Sequence, residues 1–409
     1  MADSPNNKSG EGAPDQRPQR TRPPVVDDPP VPQSKPLQIF LLVALVITGA
    51  AYVVNEWIDV TTERDHAKDS GKLRQLVQSQ SDFLQHTAAG KTALAKKQFA
   101  AAVAQFRLAL QARQTADAYQ NLGDALLRQG NPDSAFVNFR EAIRLNPRSM
   151  SAYSSWGQAL SSEGKPEDAV GIFQQALQRD PDSGLIHYNL AVTLRQMERN
   201  AESARRGAVA AGKTDDATAD ASESKRLADQ ALQHYASASR LGIDSAEFWA
   251  GYGELLNDQG KFSEAQSFLK RAISEEPTLA SAHFQMALAE TRLGNDAETL
   301  ANYEKVLSLT PDDPQTLNNL ALIYATATNS EIRSPKMAIQ LATRACDATT
   351  SQNSRFMDTL ARAYAADGNF FEAIAWEDKA IKRATQLSDH DLAGEFQTRY
   401  DLYLNHKAE

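Results

Sequence analysis

The chain has 409 residues, of which 42% are hydrophobic and 23% charged, and its net charge is −9. An acidic chain without a basic stripe argues against nucleic-acid binding, because such binding depends on neutralising phosphates. The single cysteine, Cys346, excludes an intramolecular disulfide, a CxxC zinc knuckle and a redox pair of thiols.

The first 36 residues are rich in proline, with serine, asparagine, glutamine and charged residues between the prolines. Such a composition cannot bury enough apolar surface to fold, so residues 1–36 are expected to form a disordered tail. Docking of its proline runs in an aromatic groove is an alternative, and a plain tether is the preferred interpretation.

Residues 37–54 read LQIFLLVALVITGAAYVV and carry no charge. At about 1.5 Å per residue this segment reaches about 27 Å, enough to cross the core of a bilayer. A cleaved signal peptide is the competing interpretation, but the long tail before the segment is unlike a compact basic n-region. We therefore expect a single transmembrane anchor, followed by a juxtamembrane linker or helix at 55–78.

Basic residues are balanced on the two sides of this segment, so the positive-inside rule leaves its orientation open. The nearest flanking charges, Lys35 before it and Glu56 after it, favour a cytoplasmic N-terminus. The expected location is then a bacterial inner membrane, with the folded region in the periplasm. Residues 72–84 are expected to be helical, with Leu73, Leu76 and Val77 available for packing.

Beyond this region a step of 34 residues recurs, for example from Gly123 to Gly157 and from Pro147 to Pro181. Alanine-rich runs, and no long alternating Val/Ile/Thr stretch, favour helices over strands. A period of about 34 with small, large and proline residues at fixed offsets is typical of stacked helix-turn-helix units. In the second unit these positions are Tyr119, Leu122, Gly123, Leu126, Gly130, Ala135, Phe139, Ala142 and Pro147.

This pattern resembles the tetratricopeptide repeat, and the third and fifth units match it equally well. The resemblance implies an all-α fold, a right-handed superhelical solenoid of about eight units over 79–387. We expect a capping helix at 388–409 and the transmembrane helix before the array. Gly123 and Ala135 would let the paired helices approach closely, and Phe139 would fill the space towards the next unit. The second helix of the seventh unit is expected to start at Ser334-Pro335.

The fourth unit is interrupted by about 28 additional residues, near 199–226, in a polar stretch rich in Ala, Ser and Asp. The ends of this insertion are expected to lengthen both helices into a protruding hairpin, with its loop at Gly212 to Asp220. A tolerated surface insertion is the preferred interpretation, and a partner-binding finger is the alternative.

First helices line the inner surface of such stacks, and the resemblance implies that one position of each points into the groove. A polar, uncharged series occupies that position: Asn121, Ser155, Asn189, Gly251, Gln285, Asn319 and Thr359. It is similar to the asparagine ladder of O-linked N-acetylglucosamine transferases, in which amides bond the backbone of an extended peptide. The alternative is a solvated groove. The predicted peptide-binding residues are Asn121, Asp124, Ser155, Gln158, Asn189, Gln285 and Asn319.

A carboxylate clamp made of Lys, Asn and Arg, a second binding mode of this family, is disfavoured because the matching positions lack cations except Lys91. The seven histidines are scattered without metal-ligand spacing, and His187 and His283 fall at a packing position. Cys346 lies in an apolar helical pattern and is expected to be a buried structural thiol. No phosphate-binding or nucleophile motif appears, so we expect no catalytic residues, cofactor, metal or small-molecule substrate.

These observations predict a non-catalytic, membrane-tethered scaffold that binds a protein or extended peptide in its concave groove. The expected role is assembly or folding of envelope proteins. Two alternatives stay open: a regulatory subunit of a membrane enzyme complex, and an organellar import receptor whose repeats face the cytosol.

Overall fold

The computed structural model describes residues 70–408, and these form seventeen helices and no strand. The proposed tail at 1–36, the apolar segment 37–54 and residues 55–69 of the proposed linker lie outside the described part of the chain. None of the helices within residues 70–408 combines the length and the apolar character that a membrane crossing requires. The chain from Val77 onward forms one compact unit.

The helices follow one another in pairs joined by short turns. The first helices of the eight pairs are α1 (Ser70–Ala95), α3 (Ala116–Arg128), α5 (Met150–Ser162), α7 (Gly184–Ala210), α9 (Ala246–Asp258), α11 (Ala280–Leu293), α13 (Pro314–Thr326) and α15 (Ser354–Ala366). The second helices are α2 (Phe99–Ala112), α4 (Pro132–Leu145), α6 (Pro166–Arg179), α8 (Thr214–Arg240), α10 (Phe262–Glu275), α12 (Asp296–Leu309), α14 (Pro335–Ala348) and α16 (Phe370–Gln386). The last helix is α17 (His390–Leu404).

Local sequence explains where these helices begin and end. The Thr115 hydroxyl accepts a hydrogen bond from the Ala118 N–H at the start of α3, as N-cap residues do. Pro132 stands in the first turn of α4, where its missing N–H costs nothing. Gly130 has a φ of 83°, in the left-handed region, so the chain can reverse between α3 and α4. The second helix of the seventh pair begins at Pro335, at the predicted position.

Each of the best-formed pairs packs a small residue of its first helix against a large residue of its second helix. A Cβ built on Gly123 would lie 2.5 Å from the Phe139 ring, and one built on Gly157 would lie 2.2 Å from the Phe173 ring. Both rings are fully buried. The Phe139 ring therefore contacts Gly123 of its own unit, a contact that the sequence-based expectation did not include.

The inserted residues lengthen both helices of the fourth pair. The helices α7 and α8 each contain 27 residues, against 13 or 14 in the helices of the flanking pairs. Their connection spans only residues 211–213. The prediction of a loop from Gly212 to Asp220 is therefore wrong for residues 214–220. Residues 214–220 form the first two turns of α8, where Asp215 and Asp216 lie near the positive end of the helix dipole.

Both ends of the array differ from its middle. On α1, the side chains of Leu73, Leu76, Val77 and Leu84 are exposed. At the other end, α17 buries Leu392, Phe396 and Tyr403 and leaves Leu404 exposed. These three residues, spaced four and seven apart, form one apolar face, as a helix that packs on one side requires.

Candidate functional site

Three of the predicted groove residues line one cavity between consecutive first helices. Asp124 on α3 and Ser155 and Gln158 on α5 line an open cavity of about 590 Å³ together with other polar and apolar groups. Its remaining lining is Leu94, Ala95, Leu127, Arg128, Ala159 and Ser162. The cavity therefore offers hydrogen-bond donors and acceptors beside an apolar surface.

The polar groups around this cavity are positioned by bonds between neighbouring units. The Gln120 amide donates to the Ser155 hydroxyl at 3.3 Å and accepts from the Ser151 hydroxyl at 2.8 Å. Burial raises the pKa of the Asp124 carboxyl, while Ser155 and Arg128 oppose this rise. Asn121 is half-buried, and its side chain makes no hydrogen bond to any residue that the structure describes.

Asn189, the next amide of the series, is buried inside the array. Its Nδ2 donates to the Ser154 hydroxyl at 2.6 Å, and its Oδ1 accepts from the Gln158 amide at 3.0 Å. One amide thus joins the third and fourth units through two hydrogen bonds. These bonds also fix the orientation of Gln158, the exposed member of the three.

The later members of the series are also tied to neighbouring helices. Gln285 accepts from the Asn257 amide at its backbone oxygen (2.8 Å) and at its Oε1 (3.2 Å). Asn319 donates to the Tyr303 hydroxyl at 3.0 Å. At the two other positions of the series, Gly251 lacks a side chain and Thr359 is buried.

An arginine that the sequence-based prediction missed joins the fourth and fifth units. Arg195 on α7 is buried, and its guanidinium forms ion pairs with Glu254 at 2.7 Å and with Asp258 at 3.0 Å. Arg199, one turn later, also pairs with Glu254. Burial opposes the charge of Arg195, but the two carboxylates outweigh it, so the pKa of this group rises above its ordinary value.

The cavity residues Arg128 and Ser162 were also missed. Each lies four residues after a predicted site residue on the same helix, Arg128 after Asp124 and Ser162 after Gln158. Residues four apart share one face of a helix, so this spacing was the available signal. The prediction added one residue three positions further along each of two helices, Asp124 and Gln158, and stopped there.

His187 and His283 occupy equivalent positions and fasten a turn to a second helix. The Nε2 atoms lie 3.0 Å and 3.1 Å from the carbonyl oxygens of Pro181 and Pro277. The Nδ1 of His187 meets His234 at 2.8 Å, and burial together with His187 lowers the pKa of His234 to about 4. Residues 70–408 contain no group of three His, Cys, Asp or Glu side chains that could hold a metal ion.

Cys346 is buried, as its apolar helical pattern predicts. Burial, and the nearby charge of Asp347, raise the pKa of the Cys346 thiol to about 12. Because the thiolate is the nucleophilic form, this thiol is unreactive in the folded protein at neutral pH.

Four segments of the chain match models of the tetratricopeptide repeat: residues 116–149, 160–217, 246–279 and 355–391. They correspond to the second pair, to the third and fourth pairs across α5–α7, to the fifth pair and to the eighth pair. The matches support the tetratricopeptide repeat family, as the spacing of small and large residues predicted. No curated protein matches the sequence.

Solved structures of repeat proteins resemble parts of the chain. The peptide-binding tetratricopeptide repeat protein YrrB is 20% identical, over 52% of this chain and 92% of its own, with a TM-score of 0.39. PilF of Pseudomonas aeruginosa is 15% identical, over 60% of this chain and 99% of its own, with a TM-score of 0.48. A chain of the APC/C hetero-tetramer Cut9-Hcn1 is 14% identical, over 74% of this chain and 52% of its own, with a TM-score of 0.49. These similarities carry no information about what this chain binds.

Proposed function

We propose that the chain is a non-catalytic scaffold that binds an extended segment of a protein partner along the first helices of its repeats. The observation that supports this most directly is the cavity where Asp124, Ser155 and Gln158 converge from α3 and α5. An extended peptide presents backbone donors and acceptors together with side chains. Polar groups beside Leu94 and Leu127 suit both kinds of contact.

Asn121, Gln285 and Asn319 extend this proposed contact surface beyond the cavity, and the buried Asn189 supports the surface by holding Gln158. Asn121 is the most available of them, because its amide has no partner among the described residues. The amides of Gln285 and Asn319 are held by neighbouring units, yet each retains bonding capacity, since a side-chain amide has two N–H donors and two acceptor lone pairs. The bonds to neighbouring units fix the orientation of these amides, and with it the direction of their unused donors and acceptors.

Replacing Asp124 and Gln158 together by alanine is expected to weaken peptide binding by at least about tenfold, as for two central contacts of an interface. The probe is a linear peptide selected on the full-length protein from a random 12-residue library displayed on phage. Its affinity for the parent protein and the variant is measured by fluorescence anisotropy. Asn121→Ala is expected to cause a smaller loss by itself.

The matched control is the double variant Asp133→Ala/Gln174→Ala, which removes an exposed aspartate and an exposed glutamine from the second helices α4 and α6. This control is expected to bind the selected peptide as the parent does. Equal binding by the parent protein and by the Asp124→Ala/Gln158→Ala variant would place the ligand outside the cavity and overturn the proposed site.

We further propose that residues 37–54 anchor the scaffold in a bacterial inner membrane, with the repeats in the periplasm, where they assist assembly of envelope proteins. The uncharged apolar segment supports the anchor, and the flanking charges Lys35 and Glu56 support the orientation. After expression in a bacterium, the full-length protein should stay in the membrane during alkaline carbonate extraction, and a variant lacking residues 37–54 should not. Release of the full-length protein by carbonate would rule out the anchor, and repeats resistant to protease in spheroplasts would reverse the orientation.

A further inference from the structure

The inserted hairpin, formed by α7 and α8, extends well beyond the fourth repeat. Each helix has 27 residues, against 13 and 14 in the next pair. Thirteen additional residues lengthen a helix by about 20 Å at 1.5 Å per residue. The distal part of the hairpin therefore lies about four helical turns away from the core of its own unit.

The distal part of the hairpin lies next to the end of the array. Glu202, Arg205, Arg206, Gly207 and Val209 of α7 line one cavity of about 520 Å³ together with residues of the eighth unit and α17. The residues on that second side are Arg355, Leu387, Asp389, His390 and Asp391. Units five to eight thus bring the turn between α16 and α17 back to the hairpin, although it is remote in sequence.

The two sides of this cavity carry opposite net charge. On the hairpin, Glu202 bonds Arg205 at 2.7 and 2.8 Å and Arg206 at 3.0 Å, so that two cations and one anion are held on one turn. On the opposite side, two carboxylates, Asp389 and Asp391, outnumber the single guanidinium group of that side. Among residues 70–408 no ion pair within 4.0 Å joins the two sides.

Apolar groups face the same cavity from both sides. Val209 of the hairpin is 40% exposed and Leu387 of the α16–α17 turn is 56% exposed. Closer approach of the two sides would remove both side chains from water and shorten the distance between the opposite charges, and both effects are favourable. On the side of the α16–α17 turn, the Asp389 carboxylate caps α17 by accepting from the Leu392 N–H at 3.1 Å, which fixes the position of this carboxylate.

The base of the hairpin leaves space on the same side. A second cavity, of about 780 Å³, lies between the hairpin and α9 and shares Glu202, Arg205 and Arg206 with the first. Towards the base of the hairpin it is lined by Glu198, Arg199 and Ser203 of α7 and by Glu254, Asp258 and Gln259. Hydrogen-bond donors and acceptors are both present in this cavity. The hairpin therefore has open, polar space at its base and opposite charges across its tip.

We propose that the inserted hairpin is a clasp. Its tip docks on the α16–α17 turn and so encloses the first helices of units five to eight. The enclosed helices then accept an extended polypeptide and exclude a folded domain. The partner class rests on the proposed function. The clasp itself rests on the shared cavity and its opposite charges. Docking retains a bound segment because the segment can leave only by sliding along the groove or after the clasp opens.

The closure is tested with full-length protein carrying Val209→Cys and Leu387→Cys, treated with a short bismaleimide. Cys346 is buried and does not compete for the reagent. We expect efficient internal cross-linking, a yield at least fivefold lower when Arg205→Glu and Arg206→Glu are added, and recovery on further addition of Asp391→Arg. Arg226→Glu on α8, a residue paired with Glu223 of its own helix, is the matched control and should leave the yield unchanged.

An absent cross-link, or the same yield after reversal of Arg205 and Arg206, would overturn the clasp. The partner class is tested with reduced, carboxymethylated α-lactalbumin as a permanently unfolded chain and native α-lactalbumin as its folded form. Only the unfolded form should bind, and cross-linking after binding should slow its dissociation at least tenfold. Equal binding of both forms, or unchanged dissociation, would overturn this partner class. Failure of both forms to bind the uncross-linked protein would overturn the proposed function, while the cross-linking yields still decide the clasp.

Discussion

Gly157→Ala is expected to lower the free energy of unfolding by about 1–3 kcal/mol, the cost of an overpacked core. A Cβ at this position would lie 2.2 Å from the Phe173 ring, which is fully buried and cannot move aside without displacing its neighbours. Alanine favours a helix over glycine by about 1 kcal/mol, which offsets only part of the clash. Urea unfolding followed by circular dichroism measures the difference.

Gly171→Ala is the matched control, because this glycine also lies inside a helix but has no atom within 4 Å of its Cβ position. There the helix preference acts alone, and a stabilisation of about 0.5–1 kcal/mol is expected. Opposite signs for the two glycines would show that the ring contact, and not the residue type, decides the result. Stabilisation by both substitutions would contradict the packing described for the third unit.

Repeat spacing made most of this architecture predictable, because the period reports packing that recurs in each unit. Gly157 and Phe173 lie 16 residues apart, as do Gly123 and Phe139, and each pair brings one helix against the next. Glycines such as Gly130 mark the turns by their positive φ. These signals are local, so a single sequence carries them without knowledge of the fold.

The groove was less predictable, because hydrogen-bond partners belong to other units. The sequence places Asn189 at a position that can contact a ligand, but it does not show that Ser154 and Gln158 engage its amide. The insertion illustrates the same limit. Its composition predicted a loop from Gly212 to Asp220, whereas residues 214–220 form the start of α8.

Glu377 is the clearest departure from the repeat pattern. It lies 16 residues after the small residue Ala361, the spacing at which other units carry a buried aromatic or aliphatic side chain such as Phe139 or Leu269. Glu377 is nevertheless fully buried. Glu377 therefore places a polar carboxyl group in the core of the last unit, at its boundary with α17.

The surroundings of Glu377 favour its neutral form. Asp358 and Arg362 face it from α15, and Arg399 faces it from α17 with its Nε 3.6 Å from the nearer carboxyl oxygen. Arg399 also donates a hydrogen bond to Asp358, to which its Nε lies closer than to Glu377. Burial, followed by the Asp358 charge, raises the pKa of Glu377 from 4.5 to about 9, although the arginines oppose the rise.

Glu377→Gln is expected to remove much of the pH dependence of stability between pH 4.5 and about 9, the interval set by the ordinary and the raised pKa of this group. In that interval the folded state holds a proton that the unfolded state has lost, so the free energy of unfolding falls as the pH rises. The slope reaches about 1.4 kcal/mol per pH unit for one proton. Glutamine keeps the shape and cannot ionise, so the variant should gain stability over the parent at each higher pH.

Urea unfolding of both proteins at pH 5, 7 and 9 measures this difference, with Glu395→Gln, an exposed carboxyl on α17, as the matched control. The control should follow the pH profile of the parent protein, because an exposed carboxyl is hydrated in both states. Parallel profiles for the parent and Glu377→Gln would show that Glu377 is ionised in the folded protein. A buried pair of carboxylates, held by Arg399 and Arg362, would then replace the neutral group as the basis of the contact between the eighth unit and α17.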